Sequence, residues 1–449
     1  MQRVIWTMSH GRIHGYRFVL QAGLTLLACC GVGATTWAAN LCVNPKGASG
    51  CQSTISAAVA AASPGDTITV ASGTYKESIT ITKSVSLVAQ GNAEPTIDAT
   101  GLANGIFING MAAAPNVGVA NVLISGFRIE NANFEGILVA NAYDVAIVGN
   151  EVVNNDRSLD IVDAMCPGSP AFETNEGEDC GEGIHLMGTM HASVIRNEVA
   201  YNAGGILTSD ETGPSAYNLI SGNRVHDNPY DCGITMASHA PAKSVIPTAT
   251  LPYGVMRNTV AHNVSQHNGY QVPGAGAGVG IFAPFPGTTD SGNVVIDNQL
   301  LDNGATGVAM HNHAYAPMAP PVNLNDNVIV GNYFSGNGAD GGDAKTAGPT
   351  GINIYSVAPI WGTVISQNVF GGEAIDVGFK APSGELSAQF NNLDGRATGV
   401  ENLGAGSVNA TENWWHCPNG PGTNNCSSVS GLNVATSPWL TAPFQAVGH

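Results

Sequence analysis

Gly149-Asn150-Glu151-Val152-Val153-Asn154-Asn155 contains one copy of a phrase, Asn-x-φ-x-x-Asn with φ apolar, that returns along the chain. It reads Arg196-Asn197-Glu198-Val199-Ala200-Tyr201-Asn202 and Gly222-Asn223-Arg224-Val225-His226-Asp227-Asn228. Further copies run from Asn258 to Asn263, Asn298 to Asn303 and Asn332 to Asn337, with a partial copy at Asn368. The spacing varies from 26 to 47 residues while the phrase itself stays fixed. Strands that keep register while the loops between them change length make a coiled β-solenoid.

The repeated Asn fits a turn residue that tolerates left-handed backbone and stacks its amide on the next coil. Asn150, Asn197, Asn223, Asn258, Asn298, Asn332 and Asn368 are therefore expected to be structural. With 57 glycines and only 11% charged residues, the 449-residue chain is rich in turn formers and poor in helix formers. A repeat through most of its length argues for one elongated body rather than several domains.

Residues 1–39 read as an export signal. Arg3, Arg12 and Arg17 precede or flank an apolar run from Phe18 to Ala34, and Thr36-Trp37-Ala38-Ala39 offers a small-residue cleavage site. Leu26-Leu27-Ala28-Cys29 resembles a bacterial lipobox, so lipid anchoring at Cys29 is the alternative to release. The expected location is secreted, periplasmic or at the cell surface, with no transmembrane segment. Losing three cations and no acids takes the formal charge from −18 to about −21. Such a surface disfavours nucleic acid and anionic membranes.

Seven cysteines lie beyond residue 40. Cys42/Cys51, Cys166/Cys180 and Cys417/Cys426 are close in sequence and are the expected disulfides, as suits an oxidising compartment. Cys232, at a strand start, is expected to be a buried apolar side chain.

A short amphipathic helix from Ser53 or Thr54 to Ala62, stopped by Pro64-Gly65-Asp66, leads into three alternating strands at Thr67, Glu77 and Ser84. This helix is placed to cover the open end of the coil. The stretch Gly65-Asp66-Thr67 to Gly73-Thr74-Tyr75-Lys76-Glu77 resembles the opening coil of the pectin-lyase-like superfamily, closely over residues 54–100 and more weakly to about 410. The resemblance implies an all-β, single-stranded right-handed parallel β-helix with a capping helix and a C-terminal disulfide and tryptophan cap. The expected boundaries are 40–66 for the N-terminal cap, 67–410 for the coil and 411–449 for the C-terminal cap. Asn413-Trp414-Trp415 followed by Gly420-Pro421 resembles the end of NosD-like β-helix proteins.

The glycine-led strands Gly183-Ile-His-Leu-Met, Gly205-Ile-Leu-Thr-Ser-Asp, Gly233-Ile-Thr-Met-Ala-Ser-His, Gly307-Val-Ala-Met-His-Asn-His and Gly351-Ile-Asn-Ile-Tyr fall in phase. Gly278-Val-Gly-Ile-Phe is expected to join after a two-residue shift. Period two then sends Ile184, Ile206, Ile234, Val308 and Ile352 inward and His185, Ser209, Thr235, Phe282, His311 and Tyr355 outward. Long insertions at both edges of this strand suggest the walls of a groove. Such a row suits a polysaccharide, with aromatic faces for sugar rings and imidazole or carboxylate for proton transfer. Glu182, His185, Asp210 and His239 are the catalytic candidates; Ser209, Phe282, His311, His313 and Tyr355 are the substrate-binding candidates.

Asp160, Asp163, Glu176 and Asp179, in the acidic insertion 156–182, are candidate Ca²⁺ ligands, against the plainer reading of a solvated loop. His239, His311 and His313 are alternative copper ligands, against hydrogen-bonded groove histidines. Gly274 to Gly280 lacks the strand-to-helix context of a phosphate loop and reads as backbone passing close to the sheet. Signature patterns of pectate lyases and pectin methylesterases are absent, and of the polygalacturonase set only Arg128-Ile129-Glu130 comes near. The expected function is a monomeric protein acting on or binding an extracellular polysaccharide, as a lyase, glycoside hydrolase or epimerase. The alternative is a non-catalytic NosD-like protein that handles metal or presents a binding surface.

Overall fold

A strand, Asn40–Val43, pairs in parallel with Thr67–Val70, and between them lies a helix of seven residues, Ile55–Ala61, capped by Thr54, whose Oγ1 accepts from Ala57 N at 3.2 Å. Glu77, from the first coil, accepts from Ile55 N at 2.8 Å and Ser56 N at 2.9 Å, so donors left free by the helix end meet a carboxylate. Ile55, Ala58 and Val59 turn inward and join the hydrophobic interior of the coil. The computed structural model describes residues 38–92, 94–160, 166–172, 181–242, 244, 250–272, 276–312, 320–342, 344–394, 396, 398–422 and 425–445.

Beyond the helix every strand pairing is parallel. A coil consists of three short strands, as in Glu182–Met190, Ser193–Ile195 and Glu198–Ala200, each pairing with its counterpart one coil away. Parallel strands buried on one face need long crossovers, which the coil itself supplies. One interior column runs Ile137, Ile184, Ile206, Ile234, Val279, Val308, Ile352, Val377 and Val400, all stacked in register and buried. The expected two-residue shift at Gly278 does not occur. Ile234 pairs with Val279 and Ala237 with Phe282 in unbroken register, because Gly233 and Gly278 occupy the same rung.

Three asparagine ladders stitch the coils. The longest joins Asn150, Asn197, Asn223, Asn263, Asn298, Asn332, Asn368, Asn391 and Asn413, each Oδ1 accepting from the backbone N of the Asn before it. A second runs from Asn155 through Asn202, Asn228, Asn268, Asn303 and Asn337. Asn258 belongs to a third, with Asn218, Asn293 and Asn327, rather than to the rung of Asn150. The sequence Asn258, Asn263, Asn268 repeats the five-residue step twice, and the structure uses the later pair for the phrase.

The left-handed residue is not the ladder Asn. It is the residue before it, as at Arg196 (φ 54°), His262 (φ 57°) and Asp297 (φ 53°). That residue turns the chain, and the Asn that follows points inward, where its amide satisfies backbone groups that the corner would leave unpaired. Gly149, Gly222 and Gly331 take the same left-handed corner at φ values of 63°, 65° and 69°, where a side chain would be strained.

At the far end Trp415 is fully buried and Cys417–Cys426 forms a disulfide. Cys42–Cys51 forms another, and Cys166 is disulfide-bonded, its expected partner Cys180 lying outside the described residues. Cys232 is free and buried, and burial pushes its thiol well above the ordinary range. Among the described residues no helix is long and apolar enough to cross a membrane.

Candidate functional site

Strand alternation puts two columns of side chains on the outer face of the wall that begins each coil. One contains Leu138, His185, Leu207, Thr235, Gly280, Ala309 and Asn353; the other contains Ala140, Met187, Ser209, Ala237, Phe282, His311, Tyr355 and Lys380. His185 and Thr235 therefore share the first column, and Ser209, Phe282, His311 and Tyr355 the second. They do not face an open groove. His185, Ser209, Thr235, His311 and Tyr355 are buried, and Phe282 is half-buried. Part of the cover is visible: Phe172 stacks on Phe107 with ring centroids 6.1 Å apart, over a cluster of Leu138, Ala140 and Met187 separate from the main core.

Within this layer one run of polar side chains is continuous. His185 Nε2 lies 2.7 Å from Ser209 Oγ, and Ser209 Oγ donates to Glu211 Oε2. Glu211 Oε1 lies 2.7 Å from His239 Nδ1. At the other end His185 Nδ1 is 3.5 Å from Glu135 Oε1 and 3.9 Å from Glu182 Oε2. Burial alone would raise Glu211, but the positive ends of His239 and His185 and the Ser209 hydroxyl hold its carboxyl down to about 2. Glu211 is thus an ionised acceptor, and His239 Nδ1 carries the proton between them.

Asp210, next in sequence, does different work. Its Oδ1 accepts from His239 N at 2.5 Å, and its Oδ2 accepts from Gly254 N at 2.5 Å and Ser238 Oγ at 3.0 Å. One carboxylate fastens both ends of the segment 239–254, and Ala242 N adds a 2.8 Å bond to Glu211 O. Burial pushes Asp210 up to about 6 despite these donors. Asp290, which accepts from Phe282 N at 3.1 Å, is also raised well above the carboxylate range, by burial first and by the charge of Asp210.

Further along, His311 Nε2 is 3.2 Å from Asp340 Oδ2 and its ring lies 4.9 Å from that of Phe282. Lys380 Nζ sits 5.1 Å over the Tyr355 ring. The structure therefore brings His185, Ser209, Glu211 and His239 together, with Glu182 beside His185, and ties His311 to a different carboxylate. His313 lies outside the described residues. Of the acidic-loop set, Asp160 is exposed, while Asp163, Glu176 and Asp179 lie outside the described residues.

Two members of the cluster escaped the sequence. Glu211 sits just past the strand Gly204–Ser209, where alternation no longer says which way a side chain points. Glu135 precedes the glycine-led strand Ile137–Val148, and a signal for it exists: Glu135-Gly136-Ile137 and Glu182-Gly183-Ile184 are the same tripeptide one coil apart.

Residues 104–250 match the family model described as the right handed beta helix region. This chain is a right-handed parallel β-helix. Comparison with curated proteins returns no match. Among solved structures, the β-helix is similar to an alginate lyase from Paenibacillus sp. str. FPU-7, at 12% identity and TM-score 0.39, covering 88% of this chain and 99% of that one. It is similar to the catalytic unit of a thermostable GH87 alpha-1,3-glucanase from Streptomyces thermodiastaticus strain HF3-3, at 14% identity and TM-score 0.42. That match covers 87% of this chain and 66% of the glucanase unit. Pectate lyase Pel9A gives 14% identity and TM-score 0.34 over 91% of this chain and 80% of its own. At these identities the likeness is one of fold.

Proposed function

We propose that this β-helix is a secreted carbohydrate-active protein whose proton transfers centre on the Glu211–His239 pair. The observation that carries the reading is the 2.7 Å bond between His239 Nδ1 and a carboxylate that stays ionised, both buried at the outer face of one wall. An ionised carboxylate on Nδ1 fixes the tautomer, so Nε2 is the atom that takes or gives a proton. Ser209 and His185 hold Glu211 in place from the other side. In this reading Asp210 is a positioning residue, since its oxygens are occupied by the segment that carries His239. Phe282, half-buried on the same column as Ser209, is the ring placed to meet a sugar.

Product release is measured on a panel that includes alginate, α-1,3-glucan and pectate. The wild type is expected to degrade or modify one glycan, with His239→Ala and Glu211→Gln at least about 100-fold slower. Phe390→Ala, far along the coil, should leave the rate unchanged. Inactivity of a folded wild type on every glycan, or full activity in His239→Ala, would overturn the assignment.

A further inference from the structure

Glu135 and Glu182 stand on the same rung position of adjacent coils, as the pairing of Ile137 with Ile184 fixes. Two carboxylates directly across a parallel pair repel one another, more strongly in a buried site than in water. Both are buried, at 1% and 2% exposure, and His185 beside them is at 4%. The next rung carries Gly204, where a Cβ would lie 3.1 Å from Glu182 Cγ, so the coil leaves room for the Glu182 side chain. One oxygen of each carboxylate and His185 Nδ1 all lie within 4.8 Å of one another. Glu135 Oε2 is buried without a hydrogen-bond partner among the described residues. Such an atom costs free energy unless something occupies its lone pairs.

Proton accounting sharpens the point. Ser209 has one hydroxyl proton and gives it to Glu211 Oε2. Its oxygen therefore accepts from His185 Nε2–H at 2.7 Å. Nδ1 is then the nitrogen that faces the two carboxylates, 3.5 Å from Glu135 Oε1 and 3.9 Å from Glu182 Oε2, and a cation displacing its proton would find a lone pair there. Three electron-rich atoms facing one another call for a cation between them. The Ser209–Glu211 pair behind His185 is the arrangement that orients a metal-bound imidazole, with its second nitrogen donating toward a carboxylate.

We propose that Glu135, Glu182 and His185 Nδ1 form a binding site for a first-row divalent cation, with Zn²⁺ the best match. Bonds of about 2.1 Å in tetrahedral geometry put ligands about 3.4 Å apart, close to the 3.5 Å edge from His185 Nδ1 to Glu135 Oε1 and about 0.5 Å inside the 3.9 Å edge to Glu182 Oε2. One nitrogen and two carboxylates suit Zn²⁺ or Mn²⁺, whereas Ca²⁺ and Mg²⁺ favour oxygen alone. The site is distinct from the acidic-loop set and does not rest on the carbohydrate reading.

The test uses the full chain, stripped with chelator and titrated calorimetrically with Zn²⁺, Mn²⁺ and Ca²⁺. One Zn²⁺ per chain is expected, with Kd at least about 100-fold weaker in Glu135→Gln and in His185→Ala, and unchanged in Asp160→Asn. Circular dichroism checks each variant, and should one fail to fold, X-ray absorption on Zn²⁺-loaded wild type reads the coordination shell directly. A shell with one imidazole nitrogen and otherwise oxygen supports the site. No bound Zn²⁺, preference for Ca²⁺, loss of binding in Asp160→Asn with retention in Glu135→Gln, or a shell without nitrogen would each overturn it.

Discussion

Replacing Asn223 with alanine removes one rung from the longest ladder, and the cost can be worked from its contacts. Asn223 Nδ2 donates to Val194 O at 2.9 Å and to Asn263 Oδ1 at 3.0 Å. Its Oδ1 accepts from Asn197 N at 2.9 Å and from Asn197 Nδ2 at 3.0 Å. All four bonds are buried, so none of the abandoned partners recovers water in its place. At about 1 kcal/mol for each bond, the loss is about 4 kcal/mol, well above what an exposed change costs. Urea denaturation followed by circular dichroism reads it, with Asn92→Ala, at an exposed position, as the control. The slope must be compared along with the midpoint, because coils coupled only to their neighbours need not unfold as one unit. A loss below about 1 kcal/mol, or one equal to the control, would refute the claim that the amides hold the coils together.

Other outcomes follow from particular residues. Trp415→Ala empties the largest fully buried side chain among the described residues and is expected to cost about 3–5 kcal/mol, checked by the same denaturation. Glu211, lowered from 4.5 to about 2, contributes stability that is present above pH 4.5 and lost as the pH falls toward 2. That contribution is about 3 kcal/mol, so wild type should lose stability more steeply than Glu211→Gln across this window, and parallel curves would refute it. Asp210 has the opposite sign: raised from 3.8 to about 6, its contribution is present below pH 3.8 and lost as the pH rises through 6.

Much of the fold was legible because an inward-pointing amide at a sharp corner has few substitutes, so the same letter returns on every coil. The corner residue itself was not legible. Arg196, His262, Asp297 and Gln367 all take left-handed backbone there, and no single residue type marks the position. The slip at Asn258 has a related cause, since equal five-residue steps offer two alignments that only packing separates. For the site, alternation gave the direction in which His185, Ser209, Phe282, His311 and Tyr355 point. It gave no depth, because whether an outward residue meets water depends on loops whose path no period encodes. Asp210 illustrates the remaining gap: a carboxylate beside histidine looks like chemistry in sequence, while its three donors make it a fastener in space.

The longest ladder has nine members separated by 22 to 47 residues along the chain, yet its rungs repeat at one interval in space. At ~4.8 Å per step, eight steps make a ruler of about 38 Å. Insertions therefore lengthen the loops without moving any graduation. A linear polymer laid along this axis would meet the same spacing whatever the loops do, so selectivity among polymers would be free to change by loop exchange alone.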